Sequence, residues 1–155
     1  MDVDRLFDAW ERAWSGRDAA AFEAVCDPDV HYEDPFTDEP IVGVKALGEQ
    51  AGRMWAAFPD ARVNATGARL AAGDFVCAPC RILGTHDGRL GRIAPTHREL
   101  ELHAVVYAEL REARLLRVRV FFDLYGAGVQ LGALPKHGTA GERALLMLRG
   151  FGLRG

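Results

Sequence analysis

The 155 residues, 49% hydrophobic and 26% charged, fit one globular domain with enough apolar material for its own core. A formal net charge of -3 and the absence of a basic stripe argue against nucleic acid or an anionic membrane surface as partner. The acidic start Met1-Asp2-Val3-Asp4 lacks the basic and then apolar pattern of a signal peptide, and no run approaches transmembrane length, so the expectation is a soluble cytoplasmic protein.

In chain order, Val3, Leu6, Phe7, Trp10, Ala13 and Trp14 recur at helical spacing and predict an amphipathic helix. Asp2 is placed to cap it, and Ser15-Gly16 to end it. A short second helix is expected from Asp18 through Ala21, Phe22 and Val25, stopping before Pro28. Val30-His31-Tyr32-Glu33-Asp34-Pro35 reads as a strand running into a turn. A third helix is expected from Val44 to Phe58, where Pro59 terminates it.

After Pro59 the period changes. Residues 61–71, 74–84, 98–110 and 114–124 are strand-like, with Gly73-Asp74 and Glu112-Ala113 as candidate hairpin turns. Thr139 and Glu142 have capping-box spacing and predict a last helix carrying Leu145, Leu146 and Leu148. Helices first and strands after in a meander indicate an α+β domain. Residues 1–135 are read as that domain and 136–155 as a tail with a short helix. The tail is expected either to cover a sheet edge or to touch a second subunit.

The cysteines are Cys26, Cys77 and Cys80. Cys77 and Cys80 have CxxC spacing, but three residues along a strand point to opposite faces, and no second pair completes a zinc site. Reduced thiols partly buried in a sheet are the expectation. His31, His86, His97, His103 and His137 are scattered without chelate spacing, so no metal is expected. Gly84, Gly88 and Gly91 lie between strands, where they do not form a phosphate loop.

Candidate chemistry begins with Asp123, a lone carboxylate closing the apolar run Leu115 to Phe122. Arg119, Phe121 and Asp123 share one face of that run. If the face looks into a cavity, desolvation makes Asp123 a stronger base; alternatively it ends a strand at the surface or caps a turn. The two readings stand level. His103, Val105 and Tyr107 share a face of the preceding strand, where His103 could orient a carboxylate or serve the backbone. Asp34, before Pro35, either makes a turn or projects into a cavity as a base. Trp10, Trp14, Trp55 and Phe58 read as core, part of which can wall a pocket.

Gly84-Thr85-His86-Asp87-Gly88, Gly91, Pro95-Thr96, Phe122-Asp123 and Gln130-Leu131-Gly132 together resemble the SnoaL-like polyketide cyclases of the nuclear transport factor 2-like superfamily. The likeness runs from about Leu6 to Pro135; His97 stands where many relatives have Gly. It implies a cone-shaped fold with N-terminal helices over a strongly curved, mostly antiparallel sheet. It also implies Asp123 as the acid/base of an intramolecular aldol closure that needs no cofactor. His103 and His86 are then its candidate partners and Asp34 a second carboxylate. Trp10, Trp14, Tyr32, Trp55, Phe58, Val105, Tyr107, Arg119 and Phe121 are candidate walls around a small hydrophobic molecule. A homodimer is expected.

Two related families bound the expectation. Ketosteroid isomerases place their base at Asp34, but their two oxyanion donors align with Trp10 and Val105, and Val105 donates nothing. Limonene epoxide hydrolases place an Asp at Asp123, but their Arg and second Asp are missing from Gly84-Thr85-His86. A non-catalytic binder of small hydrophobic ligands, and a hydrolase or isomerase of the same fold, remain as alternatives.

Overall fold

The computed structural model describes residues 2–148. Helix α1 (Val3–Gly16) starts where the Asp2 side chain accepts from the Arg5 N–H at 3.1 Å. It ends in Arg17, whose left-handed φ of 55° lets its N–H close on the carbonyls of Ala13 and Trp14. Asp18 accepts from the N–H groups of Ala20 and Ala21 in a turn, so helix α2 (Phe22–Val25) begins later than the sequence suggests. Strand β1 (Cys26–Glu33) starts four residues earlier than the reading from Val30 and carries Pro28 within it. A two-residue strand, β2 (Ile41–Val42), then leads into helix α3 (Val44–Ala57), with Phe58 as its C-cap.

The second half supplies β3 (Arg62–Ala65), β4 (Leu70–Ala72), β5 (Phe75–Thr85), β6 (Glu99–Arg111) and β7 (Arg114–Phe121). The sheet runs β2-β1-β7-β6-β5-β3, with β4 also on β5. All pairings are antiparallel except β1 with β7. This is an α+β fold: five helices among the described residues lie over a mixed, curled sheet.

Alternation decides the faces. On β6 the even residues Leu100, Leu102, Ala104, Val106, Ala108 and Leu110 are buried, while Glu99, Glu101 and His103 are exposed. On β7, Leu115, Val118 and Val120 are buried while Arg117, Arg119 and Phe121 are exposed. The concave face therefore meets α1, α2 and α3 in one core containing Phe7, Trp10, Phe22 and Leu47. A second cluster joins Ala57, Phe58, Leu100, Leu102, Ala127 and Leu131.

That second cluster depends on helix α4 (Leu124–Gln130), which the strand reading of 114–124 did not anticipate. Asp123 starts it: its carboxylate accepts from the Gly126 N–H at 2.9 Å. The loop after β5 packs so closely on α3 that a Cβ at Gly88 would run into the Ala56 carbonyl oxygen. Helix α5 (Ala140–Leu148) starts with the Glu142 N–H on Thr139 Oγ1 at 3.3 Å. Residues 149–155 of the tail lie outside the described residues. No helix among the described residues is long and apolar enough to cross a membrane.

Candidate functional site

The concave face and the helices enclose a pocket with about 790 Å³ of empty space, its open mouth included. Helix α1 contributes Trp10 and Trp14, α3 contributes Met54 and Trp55, and the sheet contributes Tyr32, Cys80, Leu102 and Val120. The four large aromatics touch in sequence: Trp10 to Trp14 at 5.8 Å, Trp14 to Trp55 at 6.1 Å and Trp14 to Tyr32 at 5.9 Å between ring centroids. Such pairs add roughly 0.5–1.5 kcal/mol each beyond burial and hold the wall rigid. The Trp55 indole N–H is spent on the Trp14 carbonyl at 2.9 Å. Phe36 and Phe122, with ring centroids 5.2 Å apart, complete the lining beside Asp34.

Asp34 is the one carboxylate in this lining among the described residues. Tyr32, buried on β1, donates its hydroxyl to Asp34 Oδ2 at 2.7 Å. The Phe36 N–H donates to Oδ1 at 2.7 Å, and the Asp34 N–H donates to Thr37 Oγ1 at 3.1 Å. The turn and the cavity are thus not rival readings of Asp34. The Asp-Pro turn supplies hydrogen bonds that fix the carboxyl, and the same turn sets it in the apolar wall. Burial raises its pKa above the ordinary carboxylate value, partly opposed by the Tyr32, Phe36 and Thr37 hydrogen bonds. Burial also drives the Tyr32 hydroxyl well above its usual range, so it stays a donor.

Trp10, Trp14, Tyr32, Trp55 and Phe58 therefore line the cavity, together with Asp34. The other candidates fall elsewhere. Asp123 is exposed and caps α4, while its neighbour Phe122 turns inward to the lining. His103, Tyr107, Arg119 and Phe121 stand on the convex face, and Val105 shares their parity. There Tyr107 stacks on Phe75 at 5.9 Å, and Arg119 pairs with Glu33 at 3.2 Å. Charge parity carried this signal: Arg117, Arg119 and Asp123 alternate with Val118, Val120 and Phe122, so the charged side faces water.

His86 lies behind the wall. It is fully buried against the Phe58 ring at 5.2 Å, and its Nδ1 accepts from the Thr96 N–H at 3.3 Å. Burial lowers its pKa, which keeps it neutral. Its backbone also bonds Arg98 and His97, so it pins the Pro95-Thr96 segment to the end of β5. Cys77 and Cys80 point to opposite faces; Cys80 joins the cavity lining, and burial pushes its thiol up to about 11. Among the described residues no group of three or more His, Cys, Asp or Glu side chains could hold a metal ion.

A family model, SnoaL-like polyketide cyclase, matches residues 4–131. The chain belongs to the SnoaL-like polyketide cyclase family. Solved structures share the fold of this SnoaL-like chain. TsrD from Streptomyces laurentii aligns at 18% identity over 85% of this chain and 96% of its own, with a TM-score of 0.75. IdmH from Streptomyces antibioticus, proposed as a polyketide cyclase, aligns at 20% identity over 85% and 99%, with a TM-score of 0.72. AclR from Streptomyces galilaeus, proposed as a hydroxylase, aligns at 20% identity over 95% and 91%, with a TM-score of 0.72. No match exists among the curated proteins. At these identities the neighbours establish the SnoaL-like fold, and the chemistry rests on the cavity.

Proposed function

We propose that this SnoaL-like chain is a cofactor-independent cyclase or related isomerase, with Asp34 as its acid/base, acting on a small hydrophobic polyketide-like substrate. The observation that carries the reading is the placement of Asp34: one carboxyl, held in the wall of an apolar cavity, with its pKa raised by burial. A raised pKa makes the ionised form a stronger base, and the surrounding apolar wall excludes competing water. Ionised Asp34 takes a proton from a carbon flanked by two carbonyls. The enolate so formed attacks a second carbonyl of the same molecule, making the ring C–C bond. The new alkoxide then takes the proton back from Asp34, so atoms and charge balance. Because the substrate's own carbonyls delocalise the charge, positioning and one proton carrier suffice.

Tyr32 holds the carboxyl in place through Oδ2. Trp10 lines the cavity, and its indole N–H is the group assigned to donate to the enolate oxygen in this reading. The expected test is deuterium exchange at the activated carbon of a 1-aryl-1,3-dione in D2O. The wild-type chain catalyses exchange, and Asp34→Asn slows it by roughly 10²–10⁴-fold with an unchanged circular dichroism spectrum. Exchange at the wild-type rate in Asp34→Asn removes the reading. The almost wholly apolar lining favours a second reading, a non-catalytic binder of hydrophobic ligands. In that case the wild-type chain binds the dione and exchanges nothing at any pH.

A further inference from the structure

Tyr32 lies near the end of β1 and Asp34 just past it, and both line the cavity. The register fixes the face for Tyr32. It pairs with Val118 of β7, which pairs with Ala108 of β6, and all three are buried on the concave side. The Tyr32 ring sits 6.1 Å from that of Trp10 and 5.9 Å from that of Trp14, which hold it in place. The two carboxyl oxygens of Asp34 have different neighbours. Oδ1 accepts from the Phe36 backbone amide, which keeps its proton through catalysis, and Oδ2 accepts from the Tyr32 hydroxyl, which can give its proton up. Among the described residues no other side-chain acid bonds this carboxyl: Cys80 lines the cavity without touching it in this way, and His86 lies behind the wall.

We infer that Tyr32 is a second catalytic residue, the group through which the proton on Asp34 reaches the new alkoxide. The inference rests on Asp34 as the base and deepens that step. In ring closure the proton leaves one carbon and returns to an oxygen borne by another. A carboxyl held at both oxygens does not follow the reacting atom between those positions, whereas the Tyr32 oxygen extends its reach by one hydrogen bond. As the C–C bond forms, the Tyr32 hydroxyl turns to the alkoxide, its O–H bond breaks, and its proton joins the alkoxide oxygen. Protonated Asp34 donates through Oδ2 to the Tyr32 oxygen in the same step. Asp34 is left ionised and Tyr32 neutral, as both began. Burial keeps the Tyr32 hydroxyl protonated until an alkoxide, a stronger base than a phenolate, is there to take the proton.

The experiment runs two reactions on the full chain. One is deuterium exchange on the 1-aryl-1,3-dione, which needs the base alone. The other is closure in reverse, the cleavage of 3-(hydroxy(phenyl)methyl)pentane-2,4-dione to benzaldehyde and pentane-2,4-dione, which must also move the hydroxyl proton. The wild-type chain is expected to catalyse both. Tyr32→Phe should keep exchange within about tenfold, the scale of one hydrogen bond lost from the carboxyl. The same variant should lose cleavage by roughly 10²–10⁴-fold, the scale of a missing acid–base group. A second measurement uses the wild-type chain only, so it stands even if the variant folds poorly. In mixtures of H2O and D2O its cleavage rate should fall along a curve, because two protons move in one step. Exchange and cleavage reduced in equal proportion in Tyr32→Phe would leave Tyr32 a positioning residue and overturn the inference. Full cleavage by Tyr32→Phe, a straight-line isotope dependence, or no cleavage by the wild-type chain would overturn it too. Exchange at the wild-type rate in Asp34→Asn is a separate failure: it removes the base, and the relay with it.

Discussion

Replacing Asp123 with Asn leaves a side-chain oxygen to accept from the Gly126 N–H, whereas Ala removes it. Helix stability then separates the variants: Asp123→Ala should lose about 1 kcal/mol of unfolding free energy and Asp123→Asn close to none. Neither should alter the rate of proton exchange on the dione, since the Asp123 side chain is exposed and outside the cavity lining. A loss of exchange in Asp123→Asn with intact stability would return the acid/base role to it. Asp34 differs from Asp123 in surroundings, not in chemistry. One carboxyl lies in an apolar wall beside Tyr32, and the other lies in water at a helix start, where only a cap is asked of it.

Among the elements, the β6–β7 hairpin carries a local conflict. Its two connecting residues, Glu112 and Ala113, both have positive φ, 50° and 63°, the geometry that favours Asn-Gly. Each L-residue held there costs roughly 1–2 kcal/mol, so the double change Glu112→Asn, Ala113→Gly should raise stability by about 1 kcal/mol after the added flexibility of glycine is offset. Urea unfolding should show a higher midpoint at an unchanged slope. The turn itself was legible in the sequence at Glu112-Ala113, as were α1 from its apolar stripe and α3 from its stripe and Pro59. Helix α4 was not, because its seven residues follow an apolar strand without a Pro or Gly to mark the boundary. The site was half legible. The tryptophans, Tyr32, Phe58 and Asp34 emerged as candidates, but periodicity says which residues share a face and not which face is concave. The charged partners Arg117 and Arg119 held the missing sign.

At the scale of the whole molecule, the cavity is a cost to folding as well as a place for chemistry. Asp34 has a raised pKa in the folded chain, so folding favours its neutral form. Its contribution to stability is therefore fully present below the unfolded-state pKa and is lost as pH rises through the higher folded-state value. Above that value the chain folds against a buried charge, which the hydrogen bonds from Tyr32 and Phe36 offset only in part. Asn keeps the size of the side chain and cannot ionise. Asp34→Asn should consequently melt at a higher temperature than the wild-type chain at pH 8, and the gap should shrink steadily as pH falls through the folded-state pKa. The Asp27–Arg111 pair runs the other way, since Arg111 holds the Asp27 carboxyl below its usual value. Both chains therefore lose stability together at low pH, and only the difference between them reports Asp34. Melting curves of the two chains across pH 4 to 8, about the span from an ordinary carboxylate to a fully ionised one, measure that difference. A gap that stays constant with pH would mean that Asp34 titrates as it does in water, and that its burial does not tune it as a base.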